Sequence, residues 1–215
     1  MCQGSGRGGR SPWAGTGLNF RELVMLEGQT VIFGGSFNPP HNGHALVCRY
    51  LLDDCRADEV WMVPVNNHPL GKVAVGFEHR LQMCRFLAAS VGSRVVVSDV
   101  ERQLGGMGRT FDLLVHLADT YPDRVFALGV GADILHETEK WHRWNDICEL
   151  VQIVVLGREG VDRRGTGGAV KVGAPDLPDI SSTQIRARVK KTERIDQLTV
   201  PEVANYITEE SLYRE

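Results

Sequence analysis

Apolar runs and segments of helical spacing alternate along most of the chain. Five short runs rich in β-branched residues predict strands at Val31 to Phe33, Val60 to Val63, Arg94 to Val97, Val125 to Leu128 and Val151 to Leu156. Between these runs, apolar residues recur at helical spacing over residues 45–52, 77–89, 111–119 and roughly 133–148. Strands that alternate with crossover helices form parallel sheets. The pattern therefore predicts an α/β fold, with a doubly wound, Rossmann-like parallel sheet and flanking helices in a single domain.

The pattern changes at the start of the chain and after the fifth strand. Residues 1–24 are rich in Gly, Ser and Arg and have no apolar period, so we expect a disordered tail before a domain at 25–215. The Gly-rich stretch from Gly157 to Gly173 predicts a mobile loop. Helical spacing returns at Ser182 to Lys191 and at Pro201 to Glu210.

Composition and charge argue against several classes of protein. The 215 residues carry a net charge of −3, with 42% hydrophobic and 24% charged residues, as in an ordinary globular protein. No run approaches the ~20 apolar residues that cross a bilayer, and no overall positive charge would attract nucleic acid. We therefore expect neither a membrane span nor a nucleic-acid partner, and any phosphate must be bound by a local cluster.

The cysteines favour a reducing compartment. Their number, five, is odd, they form no Cys-x-x-Cys pair and no secretory signal precedes them, which is not the pattern of a disulfide framework or a structural zinc site. We therefore expect free thiols and a cytoplasmic location. Cys48 and Cys84 lie within helical apolar patterns, which favours small buried hydrophobes over nucleophiles.

One segment carries the residues for chemistry. Residues 33–44 read Phe-Gly-Gly-Ser-Phe-Asn-Pro-Pro-His-Asn-Gly-His and connect the first strand to the first helix, where open parallel sheets bind ligands. Gly34 and Gly35 allow the backbone to come close to a phosphate, and a helix that begins near Gly43 points its free N–H groups to the same place. His41 and His44 are expected to project toward this anion site.

Two histidines at this spacing have three explanations. They could share a metal ion, but the loop has no Asp, Glu or Cys to complete a zinc site. One could cap the helix while the other packs in the core. The explanation we favour is that both donate hydrogen bonds to a polyphosphate whose charge grows in a transition state.

This loop resembles the signature of the nucleotidyltransferase superfamily that ends in His-x-Gly-His, in the form found in bacterial nicotinate mononucleotide adenylyltransferases. Residues 180–186, Ile-Ser-Ser-Thr-Gln-Ile-Arg, are similar to the second signature of that family. The resemblance covers about Gln29 to Ile207. It implies that ATP, with Mg²⁺, transfers its adenylyl group to a pyridine mononucleotide and releases pyrophosphate.

The second motif also suits phosphate binding on physical grounds. Ser181 or Ser182 can cap a helix whose first amides are unpaired, and a phosphate can take those amides. Side chains on a helix lean toward its N-terminus, so Arg186 lies over the same anion, the alternative being an ordinary solvated face. Together with the resemblance, this gives the expected ATP-binding residues: Gly34, Gly35, Ser36, Phe37, His41, His44, Lys72, Ile180, Ser182, Thr183 and Arg186. Of these, His41, His44 and Arg186 are the expected catalytic residues.

Three further segments resemble the family more loosely and imply an acceptor site. Asp133, in a Gly-x-Asp turn, corresponds to a family residue that contacts a ribose or an amide, with helix capping as the alternative. Trp141 matches a tryptophan near the pyridine ring, where a flat face can stack, whereas Trp144 is expected in the core. Thr110 matches the family pattern Ser-Tyr-Thr-x-Asp, in which Arg109 here replaces the tyrosine.

The loop after the second strand departs from the family. Asn66 to Lys72 stands where the family has Pro-His-Lys, so Lys72 either supplies the phosphate contact from a shifted position or faces solvent.

We expect nicotinate mononucleotide as the acceptor. Three alternatives stay open: the nicotinamide form, a sister enzyme that acts on phosphopantetheine or a cytidylyl donor, and a module that senses nucleotides without turnover. A homo-oligomer also remains open.

Overall fold

The computed structural model describes residues 25–66, 75–105, 108–131, 137–138, 140–157, 170–173 and 179–214. Lys72, Asp133 and the predicted tail at 1–24 lie outside the described residues, so the predictions for them stay predictions. In the described part, six parallel strands form one sheet in the order β3-β2-β1-β4-β5-β6. The strands are β1 (Gln29–Gly35), β2 (Glu59–Pro64), β3 (Val95–Val97), β4 (Val125–Gly131), β5 (Gln152–Leu156) and β6 (Val170–Gly173).

Helices connect the strands. The helices are α1 (Asn42–Arg49), α2 (Phe77–Val91), α3 (Val100–Leu104), α4 (Thr110–Thr120), α5 (Trp144–Leu150), α6 (Ser182–Lys190) and α7 (Pro201–Glu209). A π-helical turn at Tyr50–Asp54 continues α1. The alternation of strands and helices confirms the doubly wound parallel sheet.

Neighbouring residues of a strand point to opposite faces of the sheet. In this protein both faces are apolar, and each is covered by helices. Val31 of β1 joins a buried cluster with residues of α1 and α2, such as Leu87, whereas Ile32 joins a second cluster with Leu114 of α4. A third cluster packs α6 and α7 against α2 through Ile185. Full burial of one such side chain contributes roughly 1.5–3 kcal/mol to stability, and the third cluster fixes α6 beside the loop that follows β1.

The predicted loop over Gly157 to Gly173 is wrong at its C-terminal end. Residues Val170–Gly173 form β6 and pair with β5 at the edge of the sheet, with Val170 opposite Ile153. A four-residue edge strand has no long apolar run, and this one is surrounded by glycines, so the hydrophobic pattern did not indicate a strand. β1 and β4 also extend farther than predicted, through Gly35 and Gly131.

The single helix predicted over roughly 133–148 is also wrong. Among the described residues, α5 begins only at Trp144. Arg143, the residue before it, has a left-handed backbone conformation with φ of 58°. A right-handed helix does not continue through that conformation, so one continuous helix cannot run through Arg143.

Candidate active site

The loop that follows β1 lies at the point where the order of the strands reverses. β1 sits between β2 and β4, so the chain leaves β1 toward one side of the sheet and later returns on the other. A crevice opens beyond the carboxyl ends of the strands at such a point, and ligands bind there. Gly34, at the end of β1, is exposed, and a Cβ atom added to it would meet no atom within 4 Å. The space beside this residue is therefore open to a ligand.

His41 and His44 form a pair at the N-terminus of α1. His41 is the N-cap of the helix and His44 lies in its first turn. The backbone N–H of His41 donates to Nδ1 of His44 at 3.0 Å, and the two ring centroids are 3.8 Å apart. The side-chain Nδ1 of His41 is buried against the first turn of α1, beside Gly43. The two histidines form a capping box, in which the His41 side chain faces the backbone N–H of His44.

Burial keeps both rings neutral near pH 7. It lowers the pKa of His41 from 6.5 to about 4. Burial also lowers the pKa of His44 well below 6.5, and the nearby charge of His41 adds to the effect. Because Nδ1 of neutral His44 accepts a hydrogen bond, its single proton is on Nε2. His44 is therefore a neutral donor through Nε2.

Two glycines and a buried phenylalanine fix the ring positions. A Cβ atom on Gly43 would lie 3.0 Å from Cε1 and Nδ1 of His41, so the helix needs glycine there for the His41 ring. A Cβ atom on Gly35 would lie 3.1 Å from the ring of Phe37. That ring is 2% exposed and meets His44 edge-on, with centroids 5.0 Å apart. Phe37 therefore offers a ligand its backbone and not its side chain.

Side chains from distant parts of the sequence hold the backbone of the β1–α1 loop (residues 36–41). Arg186 Nη1 donates to the carbonyl oxygen of Asn38 at 2.8 Å, and Ser182 Oγ donates to that of Pro39 at 2.8 Å. Thr199 Oγ1 donates to the carbonyl oxygen of Pro40 at 2.9 Å. The structure thus brings Ser182 and Arg186 of the second motif directly onto the loop of the first.

The N-terminus of α6 is capped by Ser181, and the guanidinium of Arg186 lies beside it. Ser181 is the N-cap, because its Oγ accepts from the backbone N–H of Gln184 at 3.2 Å. This decides between the two serines that the sequence left open. Arg186 Nη2 also donates to Thr183 Oγ1 at 3.1 Å, which keeps the guanidinium folded back over the first turn of the helix, as side chains on helices lean.

The expected acceptor residues lie on the connections after β3 and β4. Thr110 begins α4, one residue before the predicted spacing at 111–119, and the exposed Arg109 is its N-cap. Trp141 is half-buried and meets the buried Trp144 edge-on, with centroids 5.7 Å apart. The guanidinium carbon of Arg143 lies 3.9 Å from the ring centroid of Phe111 in the first turn of α4. The two connections therefore touch each other at the same edge of the sheet as the β1–α1 loop.

The described residues were compared with the requirements of a metal site, a reactive thiol and a membrane helix. In the described ranges, no group of three or more His, Cys, Asp or Glu side chains is placed to hold a metal ion. Cys48 and Cys84 are buried thiols, as predicted, and burial raises the pKa of Cys48 to about 12. No helix of the described residues is long and apolar enough to cross a membrane.

The sequence analysis missed three described side chains that hold the β1–α1 loop, namely Thr199, which binds Pro40 as given above, Tyr213 and Arg80. Tyr213, near the C-terminus, donates its hydroxyl to Oδ1 of Asn38 at 2.8 Å. Arg80 is 4% exposed and donates to the carbonyl oxygen of Ser36 at 3.0 Å. The signal for Arg80 was present, because it occupies the stripe of α2 that also carries the buried Cys84 and Leu87. A charged residue in an apolar stripe needs buried partners.

The similarity to known proteins agrees with this geometry. Residues 32–188 match the cytidylyltransferase-like family. The chain is 44% identical over 197 residues to a protein of Anaeromyxobacter dehalogenans named "Probable nicotinate-nucleotide adenylyltransferase", and the match covers 90% of this chain and 97% of the relative. A protein of Myxococcus xanthus with the same name is 36% identical over 185 residues, covering 86% of this chain and 94% of the relative.

The chain belongs to the cytidylyltransferase-like family. A solved structure of Plasmodium falciparum nicotinic acid mononucleotide adenylyltransferase, complexed with NaAD, is similar to this one with a TM-score of 0.73. Its sequence is 20% identical, and the match covers 86% of this chain and 97% of that one. At that identity the likeness concerns the fold.

The match to the cytidylyltransferase-like family confirms the family resemblance that is based on the two motifs. The similarity to the solved structure confirms the doubly wound fold. The geometry brings Ser182 and Arg186 of the second motif onto the loop that carries His41. The expected roles of Lys72 and Asp133 cannot be read from the described residues. The roles of the other residues toward ligands are proposals, which follow.

Proposed function

We propose that the chain catalyses transfer of the adenylyl group of ATP to nicotinate mononucleotide, giving nicotinate adenine dinucleotide and pyrophosphate. The observation that carries this proposal is the pair of His41 and His44 at the N-terminus of α1, beside the open space at Gly34. The printed names of the relatives point to the same reaction.

The ATP side is formed by the two motifs. In the reaction, the acceptor phosphate attacks the α-phosphorus and the bond from that phosphorus to the pyrophosphate oxygen breaks. The enzyme needs chiefly to align these groups and to stabilise charge on the leaving pyrophosphate. His44 Nε2 and the His41 ring donate to phosphate oxygens, and Arg186 adds a positive charge over the first turn of α6. The backbone of Gly34, Phe37 and Ile180 holds the adenine.

The remaining ATP residues assist that arrangement. Ser182 fixes the β1–α1 loop through Pro39, and Thr183 orients Arg186. Ser36 and Gly35 give the phosphates access to the backbone. Lys72 is proposed as a further phosphate contact from the loop after β2.

The acceptor side is proposed for the connections after β3 and β4. The first amides of α4, near Thr110, receive the nicotinate carboxylate, and Arg109 adds positive charge at the same helix end. Trp141 stacks on the pyridine ring. Asp133 contacts the ribose of the acceptor.

Mg²⁺ is proposed to arrive with ATP as part of the substrate. The described side chains around the β1–α1 loop are histidines, arginine and hydroxyl groups, which do not form the oxygen cage that Mg²⁺ requires, whereas phosphate oxygens do. The ion neutralises charge on the pyrophosphate. The free thiols among the described cysteines suit a cytoplasmic enzyme.

The test is a coupled assay of pyrophosphate release with the purified protein. ATP, Mg²⁺ and nicotinate mononucleotide are expected to give pyrophosphate and an equal amount of the dinucleotide, identified by mass. Parallel reactions replace the acceptor by phosphopantetheine or ATP by CTP, and these are expected to give none. ATP binding without pyrophosphate from any acceptor would favour a nucleotide sensor and contradict the proposal.

A further inference from the structure

Arg80 connects three separate segments of backbone at the carboxyl edge of the sheet. Its Nη1 donates to the carbonyl oxygens of Ser36, in the β1–α1 loop, at 3.0 Å and of Val65, directly after β2, at 2.8 Å. Its Nε donates to the carbonyl oxygen of Val75, just before α2, at 3.1 Å, and its Nη2 donates to that of Asn66 at 3.4 Å. One buried side chain thus joins the loops that follow β1 and β2.

Glu101 holds the same peptide segment from the other side. This residue of α3 is 6% exposed, and its carboxylate accepts from the backbone N–H of Asn66. Asn66 therefore has its carbonyl oxygen bound to a buried cation and its N–H bound to a buried carboxylate. Burial lowers the pKa of Arg80 and raises that of Glu101, so the protein gives up solvation of two charged groups to keep this arrangement.

The acceptors of Arg80 among the described residues are all backbone carbonyl oxygens. A guanidinium suits such a set because it has five donors in a planar fork. An apolar side chain of similar size would fill the same volume and avoid the cost of burying a charge, so packing alone does not account for arginine here. The geometry accounts for it, because the planar fork reaches the β1–α1 loop and both described ends of the connection between β2 and α2.

We propose that Arg80 is a positioning residue, which with Glu101 fixes the β1–α1 loop relative to the loop after β2 and so aligns the phosphates for transfer. Arg80 touches no substrate in this account and acts through Ser36 and Asn66. The proposal rests on the proposed function for its kinetic part. A misplacement of about 1 Å in reacting groups can lower a rate about 100-fold, so the positions of these loops matter more for turnover than for binding.

The test compares Arg80→Met and Arg80→Lys with the wild type in kcat, in KM for ATP and in thermal unfolding. We expect Arg80→Met to lower kcat about 10-fold to 100-fold at temperatures where the variant is folded, with a smaller change in KM for ATP. Arg80→Lys keeps the charge but not the fork, and we expect about a tenfold loss. Glu101→Leu is expected to lower kcat in the same direction.

Arg94→Met is the matched control. Arg94 also donates to two backbone carbonyl oxygens, those of Leu52 and Ala57, but it is exposed, pairs with Asp53 and lies directly before β3, hence at the opposite edge of the sheet. We expect it to keep kcat within about twofold even if its melting temperature falls. The proposal is overturned if both Arg80 variants keep kcat within about threefold, or if Arg94→Met loses as much activity as Arg80→Met.

Hydrogen exchange separates this proposal from the proposed function. Arg80→Lys is expected to speed exchange of the backbone N–H of Val65, which donates to the carbonyl oxygen of Gly35 at 3.0 Å and so reports on the junction between the two loops. This readout needs no activity. A wild-type protein without pyrophosphate release would contradict the proposed function, whereas unchanged exchange at Val65 would contradict the positioning role.

Discussion

The backbone N–H of His41 donates a hydrogen bond of 3.0 Å to Nδ1 of His44. This bond determines which nitrogen of His44 carries the proton, since an acceptor nitrogen in a neutral imidazole leaves the proton on the other one. The result is an Nε2–H donor whose direction is set by the first turn of α1. Preorganised donors of this kind stabilise charge that develops in a transition state.

His44→Asn tests that donor with the least disturbance of the loop. An asparagine Oδ1 atom can replace Nδ1 as the acceptor for the His41 N–H, but the Nε2–H donor is lost. We expect kcat to fall about 100-fold to 1,000-fold, the usual cost of one such donor, while the Kd for ATP changes little. Kinetics and calorimetric ATP titration measure the two effects. A turnover within about threefold of wild type would refute the role of His44.

Two glycine-to-alanine substitutions compare a position that is open to a ligand with one that packs against the protein itself. Gly34→Ala meets no protein atom within 4 Å, whereas Gly43→Ala puts its Cβ 3.0 Å from the ring of His41. We expect Gly34→Ala to keep its melting temperature and to weaken ATP binding, because the new methyl group occupies the ligand's space. We expect Gly43→Ala to lower kcat by displacing His41. Unchanged ATP affinity in Gly34→Ala would show that the nucleotide does not approach β1 there.

The histidine pair also predicts how stability depends on pH. Burial lowers the pKa of His41 from 6.5 to about 4, so between these values the unfolded chain binds more protons than the folded one. The free energy of unfolding therefore falls as the pH falls from about 6.5 toward 4. His41→Asn removes one of the groups responsible, so we expect a shallower slope. Urea unfolding of both proteins at pH 7, 6 and 5 gives the comparison, and parallel slopes would contradict the burial effect.

The strands that form the centre of the sheet were predictable because burial on both faces makes them apolar throughout. β1, β2, β4 and β5 each have a run of this kind. β6 was not predictable, since an edge strand of four residues is specified by its pairing with β5 and not by its own composition. The start of α5 depends on the backbone conformation of Arg143, which apolar spacing does not reveal.

The site was predictable where one short segment contains both the glycines that shape the loop and the histidines, as in residues 33–44. The contacts that join distant segments were not. The bond from Arg186 to Asn38 spans 148 residues and that from Tyr213 to the same residue spans 175. Such pairings follow from tertiary packing, here from the cluster that seats α6 and α7 on α2.

Removal of residues 1–24 tests the predicted tail. The segment has no periodic apolar face with which to dock on a domain. We therefore expect the shortened protein, beginning at Met25, to keep its kcat within about twofold and its melting temperature within about 2 °C, because a segment without docked apolar surface contributes little to stability. A clear fall in either quantity would mean that the segment contacts the site or forms an interface.

The choice of acceptor tests the acceptor side of the site. Thr110 begins α4 and Arg109 occupies its N-cap position without a side-chain capping bond, so the first amides of the helix and one cation are available to a carboxylate. A neutral carboxamide gains less from both groups. Arg109→Gln removes the cation and keeps the helix end, so we expect it to lower the discrimination between the two acceptors.

The most direct test of the account is the ratio of kcat/KM for nicotinate mononucleotide to that for nicotinamide mononucleotide, measured as pyrophosphate release with ATP and Mg²⁺. Two charge-assisted contacts are worth roughly 2–4 kcal/mol, which predicts a preference for the nicotinate form on the order of 30-fold to 1,000-fold. Equal values, a preference for the nicotinamide form, or no pyrophosphate with either acceptor would contradict the account.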